Sequence, residues 1–425
     1  MASDKSASGP QGMVIVGAGE CGIRAAMALR EEGYGGPVTL IGAEPHLPYE
    51  RPPLSKAVLL GDDAPSPKTI ANEARLFEAA VLHLSSVTAT GIDREAKSVS
   101  LSNGRGLHYS KLLLATGADP RPYALAEGLS HVFTLRTFDD ALAIRSRLGP
   151  GCRLAIIGGG FIGLELAAAA RTRRADVTVI EAAPRILGRA VPTEIAQVIH
   201  ARHAREGVRI LVGAAIADMK EQNGGILIKL QPALKDEAGP SAVQADLVVV
   251  GIGAQPNTAL AEAAGLTVEN GIAVDAHLRT SDPDIFAAGD CCSFPLAYQD
   301  GRRVRLEAWR NAQEQGTLAA RNMLGGRQAH VAVPWFWSDQ YDLGLQMAGL
   351  ADRATQVVRR DLGSESFLLF HLDAEGRLVA ASGIGPGTSI ARDIRLAEMM
   401  IARGARPDPL KLANAESKLK ALLAA

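Results

Sequence analysis

Short, continuous apolar runs alternate with amphipathic segments along most of the chain, a pattern typical of a parallel β-sheet covered by helices. The first run, Met13–Val16, precedes a glycine-rich turn and a predicted helix and strand over 23–42. A second run, Leu154–Ile157, precedes another glycine-rich turn and a predicted helix and strand over 164–180. The same β-α-β pattern therefore occurs twice.

Both turns carry the glycine spacing of dinucleotide-binding proteins. They read Gly17-Ala18-Gly19-Glu20-Cys21-Gly22 and Gly158-Gly159-Gly160-Phe161-Ile162-Gly163. Glycines at this spacing let the backbone turn sharply and approach a pyrophosphate, to which the following helix offers free N–H groups. One such motif is a weak signal, but two, each with its strand and helix, predict two dinucleotide sites in one chain.

The remaining pattern supplies further elements of an α/β protein. The proline-rich segment 45–56 is predicted to be an irregular loop near the carboxyl end of the sheet, where ligands bind in such folds. The other predicted elements are strands at 111–117 and 245–253, a short strand before Gly289-Asp290, a helix at 310–324, β-like runs at 366–371 and 378–382, and a helix at 388–403.

These elements predict two Rossmann-like dinucleotide-binding domains followed by a C-terminal α+β domain. The first domain is discontinuous, with residues 13–120 and 245–328, and the second comprises residues 121–244. The C-terminal domain is expected over 329–425. Residues 1–12 are small and polar and are predicted to be a disordered tail.

Composition excludes several classes of protein. The formal net charge of −1 argues against a general nucleic-acid binder, and no apolar stretch is long enough to span a bilayer. The four cysteines are too few for a disulfide framework in 425 residues, which favours a reducing, cytoplasmic setting. His200 and His203 lie among charged residues at helical spacing, so we expect an exposed helix face and no metal site.

A carboxylate follows the second strand of each β-α-β unit. Glu44, or a neighbour such as Ala43, is placed to contact the adenosine ribose of the first nucleotide, although a solvated loop carboxylate is the alternative. Glu181 is placed to bind the 2′-hydroxyl of the second nucleotide and would repel the 2′-phosphate of NADP. Arg185 lies nearby and could soften that repulsion, so NADH is preferred without excluding NADPH.

Several stretches together resemble the FAD-containing, NADH-dependent ferredoxin reductases of bacterial oxygenase systems, which share the glutathione-reductase fold. The narrower motifs are Pro-Pro-Leu-Ser-Lys at 52–56 and Pro-Trp-Phe-Trp-Ser-Asp-Gln at 334–340. The resemblance covers nearly the whole chain and implies FAD at the first glycine turn and NAD(H) at the second.

The resemblance also implies individual cofactor contacts. Asp290 would bind the FAD ribitol, with a helix N-cap role as the alternative, and the helix near residue 310 would point its N-terminus at the flavin pyrimidine. The other residues of the predicted FAD site are Gly17, Gly19, Cys21, Gly22, Ala43, Glu44, Arg51, Lys56, Val87, Ala115, Thr116, Gly117, Arg136, Gly289, Trp309 and Trp335. The predicted NAD(H) site comprises Gly158, Gly160, Phe161, Ile162, Gly163, Glu165, Glu181 and Gly253.

Lys56 and Glu165 are the predicted catalytic residues. In similar reductases these positions form an ion pair beside the two redox rings, where it would fix their geometry and help to exclude water. The alternative is a salt bridge with a purely structural role.

The positions of the cysteines limit the possible acceptors of electrons from the flavin. A disulfide or peroxide reductase of this fold needs cysteine near positions 55 and 56, and residues 45–60 contain none. Cys21, Cys291 and Cys292 are expected to be packing residues. No set of cysteines in this chain could hold an iron–sulfur cluster. An iron–sulfur cluster that accepts electrons from the flavin must therefore lie on another protein.

The resemblance implies an iron–sulfur partner, a [2Fe–2S] ferredoxin or alternatively rubredoxin, that would dock near Trp335, Trp337 and Arg310. A cluster of arginines could steer an acidic partner, although a solvated face is equally consistent with it. These arginines are Arg302, Arg303, Arg305, Arg310, Arg321 and Arg327.

The predicted activity is NADH-dependent reduction of a ferredoxin that serves a ring-hydroxylating dioxygenase or a cytochrome P450. A signalling flavoprotein similar to apoptosis-inducing factor is the non-enzymatic alternative. The chain is expected to be a monomer or a homodimer.

Overall fold

The computed structural model describes residues 11–61, 64–188, 190–231, 240–363 and 365–424. They form two compact units, each assembled from separate parts of the chain. The first unit comprises the residues up to Glu50, Lys68–Asp119 and Pro256–Trp335, and the second the remainder. Residues 1–10 of the predicted tail lie outside the described residues. Gly12, which was also predicted to belong to the tail, is the first residue of the first strand.

The first unit is built on a seven-stranded sheet whose centre is parallel. Gly12–Val16 pairs in parallel with Val38–Ile41 on one side and Gly106–Leu114 on the other. Its five residues are all buried, as expected for a strand covered on both faces. The other strands are Val81–Leu84, Ala89–Asp93, Ser98–Leu101 and Ile285–Ala287.

Helices and a small second sheet complete the first unit. The helices Glu20–Glu31 and Trp309–Met323 pack against each other. Gly316 permits this contact, because a Cβ there would lie 2.4 Å from the carbonyl oxygen of Cys21. The remaining elements are the helices Glu73–Glu78 and Ala259–Ala263 and the short strands Ile272–Ala273, Cys292–Leu296 and Arg302–Val304.

The second unit contains a five-stranded parallel sheet. Its order is Arg209–Val212, Asp176–Glu181, Arg153–Ile157, Leu247–Val250 and Val132–Phe133. The expected boundary at residue 244 is therefore wrong, because Leu247–Val250 pairs with Arg153–Ile157 and the unit continues to Gln255. The other strands are Ile216–Gln222, Gly225–Leu230 and Ala242–Ala245, and the main helices are Phe138–Arg145, Phe161–Thr172 and Thr193–Arg205.

The proline-rich segment is more regular than expected. Pro52–Ser55 forms one turn of 3-10 helix, because proline suits the first position of a helical turn, and Ala57–Leu60 forms a turn of α-helix. Arg51–Pro67 belongs to the second unit.

The C-terminal segment forms its own antiparallel sheet but shares a hydrophobic core with the second nucleotide-binding region. Leu345, Phe367 and Ile384 from this sheet pack in one cluster with Leu164 and Ile195. The strands are Trp335–Gln340, Leu343–Gly349, Gln356–Gly363, Ser366–Leu372 and Leu378–Pro386, and the helices are Ala391–Ala402 and Pro409–Ala413. The predicted α+β elements are present, but they do not pack as an independent unit.

None of the helices in the described part of the chain combines the length and apolar composition needed to cross a bilayer.

Candidate active site

The first glycine turn has the geometry of a pyrophosphate cradle. Gly17 has φ +112°, and a Cβ there would lie 2.1 Å from the carbonyl oxygen of Ala115. Gly19 begins the helix Glu20–Glu31 without a capping side chain, and no atom lies within 4 Å of where its Cβ would be. Uncapped N–H groups beside open space fit the phosphates of FAD.

Other predicted FAD residues belong to the same unit as this turn. Tyr49 Oη donates to Glu44 Oε2, which holds the carboxylate after the second strand. Thr116 Oγ1 donates to the carbonyl oxygen of Asn257 at 2.7 Å, which ties down the turn after Gly106–Leu114. Cys21, Gly22, Ala43, Val87, Gly117, Gly289, Asp290, Trp309 and Trp335 also belong to this unit.

Three predicted FAD contacts belong instead to the second unit, namely Arg51, Lys56 and Arg136. The Arg51 guanidinium donates to the carbonyl oxygen of Arg136 at 2.5 Å. Their contacts with FAD stay predictions.

A half-buried polar cluster beside the first turn was not anticipated. Glu20 accepts hydrogen bonds from Trp309 Nε1 at 3.1 Å and Gln313 Nε2 at 2.7 Å. Burial raises the pKa of Glu20 above its ordinary value. The one signal in the sequence was the i, i+4 spacing of Trp309 and Gln313, which puts both on one helix face.

The cysteines behave as predicted. Cys21, Cys291 and Cys292 are buried and free, and burial raises the pKa of each thiol. A raised pKa leaves the thiol protonated and unreactive, in agreement with a packing role.

The second glycine turn repeats the cradle in the second unit. Gly158 has φ +107°, and a Cβ on Gly163 would lie 2.4 Å from the Gly158 carbonyl oxygen. Gly160 begins the helix Phe161–Thr172 without a capping side chain. Gly253 belongs to the same unit, has φ +110° and would have open space around a Cβ.

Glu181 lies against this second turn. Its two carboxylate oxygens accept from the backbone N–H groups of Gly159 and Ala183, each at 2.7 Å. Arg185 donates to the carbonyl oxygens of Leu187, Gly188 and Val191, so its guanidinium is engaged with the main chain. This arrangement presents a fixed negative charge beside the turn.

Lys56 and Glu165 form the expected ion pair. Lys56 Nζ lies 2.5 Å from Glu165 Oε2, and Glu165 is only 7% exposed. Ser55 Oγ donates to the same oxygen at 2.6 Å, and Ser338 Oγ donates to Oε1 at 2.7 Å. Neither serine donor was predicted from the sequence.

The arginines of the predicted docking surface have partners of their own. Arg303 donates to two main-chain carbonyls, Arg305 pairs with Glu307, and Arg321 pairs with Glu32. Arg310 lies over a tryptophan, with its guanidinium 5.6 Å from the centre of the Trp335 ring.

The expectation that His203 is exposed is wrong. Its side chain is fully buried, because the C-terminal sheet covers that face of the helix Thr193–Arg205. In the described residues, no group of three or more His, Cys, Asp or Glu side chains is arranged to hold a metal ion.

Residues 12–316 match the model of a family described as pyridine nucleotide-disulphide oxidoreductase, and residues 335–423 match a family described as Reductase C-terminal. The chain belongs to the pyridine nucleotide-disulphide oxidoreductase family. The fold class and the family predicted above are therefore confirmed, and FAD and NAD(H) are the cofactors on which its relatives depend.

The relatives match over nearly their whole length. The ferredoxin–NAD(+) reductase component of the anthranilate 1,2-dioxygenase system of Burkholderia cepacia is 44% identical, over 96% of this chain and 98% of that protein. Putidaredoxin reductase of Pseudomonas putida is 38% identical, over 85% of this chain and 86% of that protein. The crystal structure of the covalent putidaredoxin reductase–putidaredoxin complex matches with a TM-score of 0.90 and 34% identity, over 98% of both chains.

Proposed function

We propose that this chain is an FAD-dependent NADH:ferredoxin oxidoreductase. It would take two electrons as hydride from NADH and pass them singly to a [2Fe–2S] ferredoxin of an oxygenase system. The observation that carries the proposal is the pair of glycine cradles, each followed by a held carboxylate, in a chain without active-site cysteines. Relatives that are named ferredoxin–NAD(+) reductase components support the choice of acceptor.

Each cofactor would be held by main-chain groups and one carboxylate. The first turn would bind the FAD pyrophosphate and Glu44 its ribose, while the second turn would bind the pyrophosphate of NADH. Bound FAD supplies the conversion of a two-electron transfer into one-electron transfers. Glu181 would accept a hydrogen bond from the adenosine 2′-hydroxyl and disfavour NADPH.

The Lys56–Glu165 pair would orient the reacting groups and would not exchange protons. Hydride transfer needs no general base; it needs a fixed donor–acceptor distance and exclusion of water. Since Glu165 lies at the start of the second turn of the helix Phe161–Thr172, which follows the second glycine cradle, its carboxylate would be close to the bound nicotinamide nucleotide.

The docking surface for the ferredoxin would include Arg310 and Trp335 of the first unit. A contact of Trp337 with the ferredoxin stays a prediction. Arg310 Nε donates to Glu314 Oε1 at 2.9 Å, and the guanidinium lies over the Trp335 ring. The side chain therefore presents a cation on an aromatic surface. Ferredoxins are acidic, and such a cation would favour their encounter.

The test is anaerobic titration of the purified protein with NADH, followed by stopped-flow mixing with a panel of ferredoxins and rubredoxins. Bleaching of the flavin absorbance and rapid reoxidation by a ferredoxin are expected. Failure of every iron–sulfur protein to reoxidise the reduced form would overturn the proposal. A long-lived reduced form would instead support the signalling alternative.

The docking surface is tested separately with Arg310→Ala. We expect the KM for ferredoxin to rise about fivefold while reduction by NADH is unchanged. Arg105→Ala, at an exposed turn of the first unit, is the matched control. Equal KM values in both variants would remove Arg310 from the docking surface.

A further inference from the structure

A file of buried hydrogen bonds extends from Glu165 on the side away from Lys56. Ser338 Oγ lies 2.7 Å from Glu165 Oε1, and Gln340 Nε2 lies 3.2 Å from Ser338 Oγ. Gln340 Oε1 then lies 2.8 Å from His203 Nε2, and His203 Nδ1 lies 3.2 Å from Tyr341 Oη. Ser338, Gln340 and His203 thus connect the Glu165 carboxylate to the C-terminal end of the helix Thr193–Arg205. Tyr341 is the last side chain of this file.

With Glu165 ionised and His203 neutral, the protons of this file can be arranged in one way only. Ser338 has a single proton, which the Glu165 carboxylate needs, so Ser338 must accept from the Gln340 amide. The amide oxygen then accepts from His203 Nε2–H. A neutral imidazole protonated at Nε2 has a free lone pair at Nδ1, which accepts from the hydroxyl of Tyr341. Every donor therefore points toward Glu165.

The opposite orientation of the Gln340 amide fails. It would place the amide oxygen against Ser338 Oγ, whose proton is already given to Glu165, so two acceptors would face each other.

The surroundings keep the imidazole neutral. Burial lowers the pKa of His203 to about 4, although the Gln340 hydrogen bond opposes this. His200 and Arg202 lower this pKa further, and Glu206 raises it. Arg202 is itself paired with Glu206 and Asp342, so it does not compete for Tyr341 Oη.

The buried side chains of the file come from two elements of the second unit. Ser338 and Gln340 share one face of the strand Trp335–Gln340 because their spacing is two, while His203 comes from the helix Thr193–Arg205. All three side chains are buried. A buried polar group is costly unless it is fully hydrogen-bonded, so a complete, one-directional file is a specific arrangement.

We propose that Ser338, Gln340, His203 and Tyr341 are positioning residues that hold the Glu165 carboxylate in one orientation, with Oε2 turned toward Lys56 and Ser55. The terminal torsion of a glutamate is broad, so the carboxylate needs a donor on each oxygen to stay fixed. This inference rests on the proposed function, because Glu165 acts beside the nicotinamide only if that function is correct.

The kinetic test compares Ser338→Ala, Gln340→Met and Tyr341→Phe in the FAD-loaded protein by stopped-flow reduction with NADH. We expect the limiting rate to fall about tenfold in Ser338→Ala, by less in Gln340→Met and within about twofold in Tyr341→Phe, since each is one bond further from Glu165. The Kd for NADH should change less than the limiting rate. Ser338→Thr should restore the rate because it keeps the hydroxyl.

Two comparisons separate positioning from packing. The double variant Ser338→Ala/Gln340→Met should be no slower than Ser338→Ala, because the file is already cut at its first bond. Ser382→Ala removes an equally buried hydroxyl from the same sheet but outside the file, and its rate should match the wild type. Equal slowing by Ser382→Ala and Ser338→Ala, or an unchanged rate in Ser338→Ala, would overturn the proposal.

A measurement without turnover tests the file directly. In ¹⁵N-histidine-labelled protein near neutral pH, the His203 signal, assigned by its loss in His203→Gln, should show a protonated Nε2 and an unprotonated Nδ1. Tyr341→Phe should shift Nδ1 alone. The opposite tautomer would overturn the proposal. If NADH fails to reduce the wild-type flavin, the proposed function fails, while the tautomer still decides whether the file exists.

Discussion

Replacement of His371 by glutamine is expected to make the folded chain less sensitive to acid. His371 is buried, and burial lowers its pKa from 6.5 to about 4, with Glu194 acting weakly in the opposite direction. Its Nε2 lies 3.3 Å from Ser382 Oγ, a contact that a glutamine amide can keep. The substitution therefore removes a titrating group with little loss of packing.

The magnitude follows from proton linkage. Because folding favours the neutral imidazole, the unfolded chain binds more protons than the folded chain between pH 6.5 and about 4. The free energy of unfolding therefore falls as the pH drops through this window and levels off below it. For a single histidine with these two pKa values, the loss between about pH 7 and about pH 5 is about 2 kcal/mol.

Urea denaturation followed by far-UV circular dichroism at several pH values measures this loss. The wild-type protein should lose about 2 kcal/mol more than His371→Gln over the window, after comparison with His108→Gln at an exposed position. His203 and His330 have similarly lowered pKa values and should keep part of the acid sensitivity in the variant. Identical pH profiles for the wild type and His371→Gln would refute the reasoning.

Three further substitutions test other parts of the structure. Arg360 donates to four main-chain carbonyls of the C-terminal segment, so Arg360→Met should lower the free energy of unfolding by about 2–4 kcal/mol in urea denaturation; an unchanged midpoint would contradict this. Gly163→Ala would force a Cβ against the second cradle and should weaken NADH binding at least about tenfold by calorimetry, whereas Gly149→Ala, which meets no atom within 4 Å, should not. Glu181→Gln should lower the ratio of kcat/KM for NADH over NADPH at least about fivefold in steady-state assays; an unchanged ratio would exclude its contact with the ribose.

Local sequence features predicted much of the fold. The apolar runs at Met13–Val16 and Leu154–Ile157 formed buried parallel strands, and both glycine turns led into helices as expected. These features are encoded within a few consecutive residues, because the glycines are required by backbone geometry and the strands by burial on both faces. The ion pair of Lys56 and Glu165 was predicted by resemblance alone.

Long-range contacts account for what the sequence did not reveal. His203 lies among arginines and a glutamate, and its polar neighbours predict an exposed helix face. It is buried because the strand bearing Gln340, more than a hundred residues later, packs over it. The two serine donors to Glu165 were missed because they also meet their partner through long-range contacts. Isolated serines, in addition, form no periodic pattern in the sequence.

The C-terminal sheet shares a hydrophobic core with the helix that carries Glu165, so it helps to position this carboxylate as well as covering the helix. Phe367 and Ile384 pack with Leu164, the residue directly before Glu165, so the sheet is anchored beside the helix that carries the carboxylate. The same sheet delivers Ser338, one of the three donors to that carboxylate. An independently packed domain could shift relative to Glu165, but a common core fixes the donor and the acceptor together. Substitutions in this core, such as Phe367→Ala, are therefore expected to affect the ion-pair geometry as well as stability.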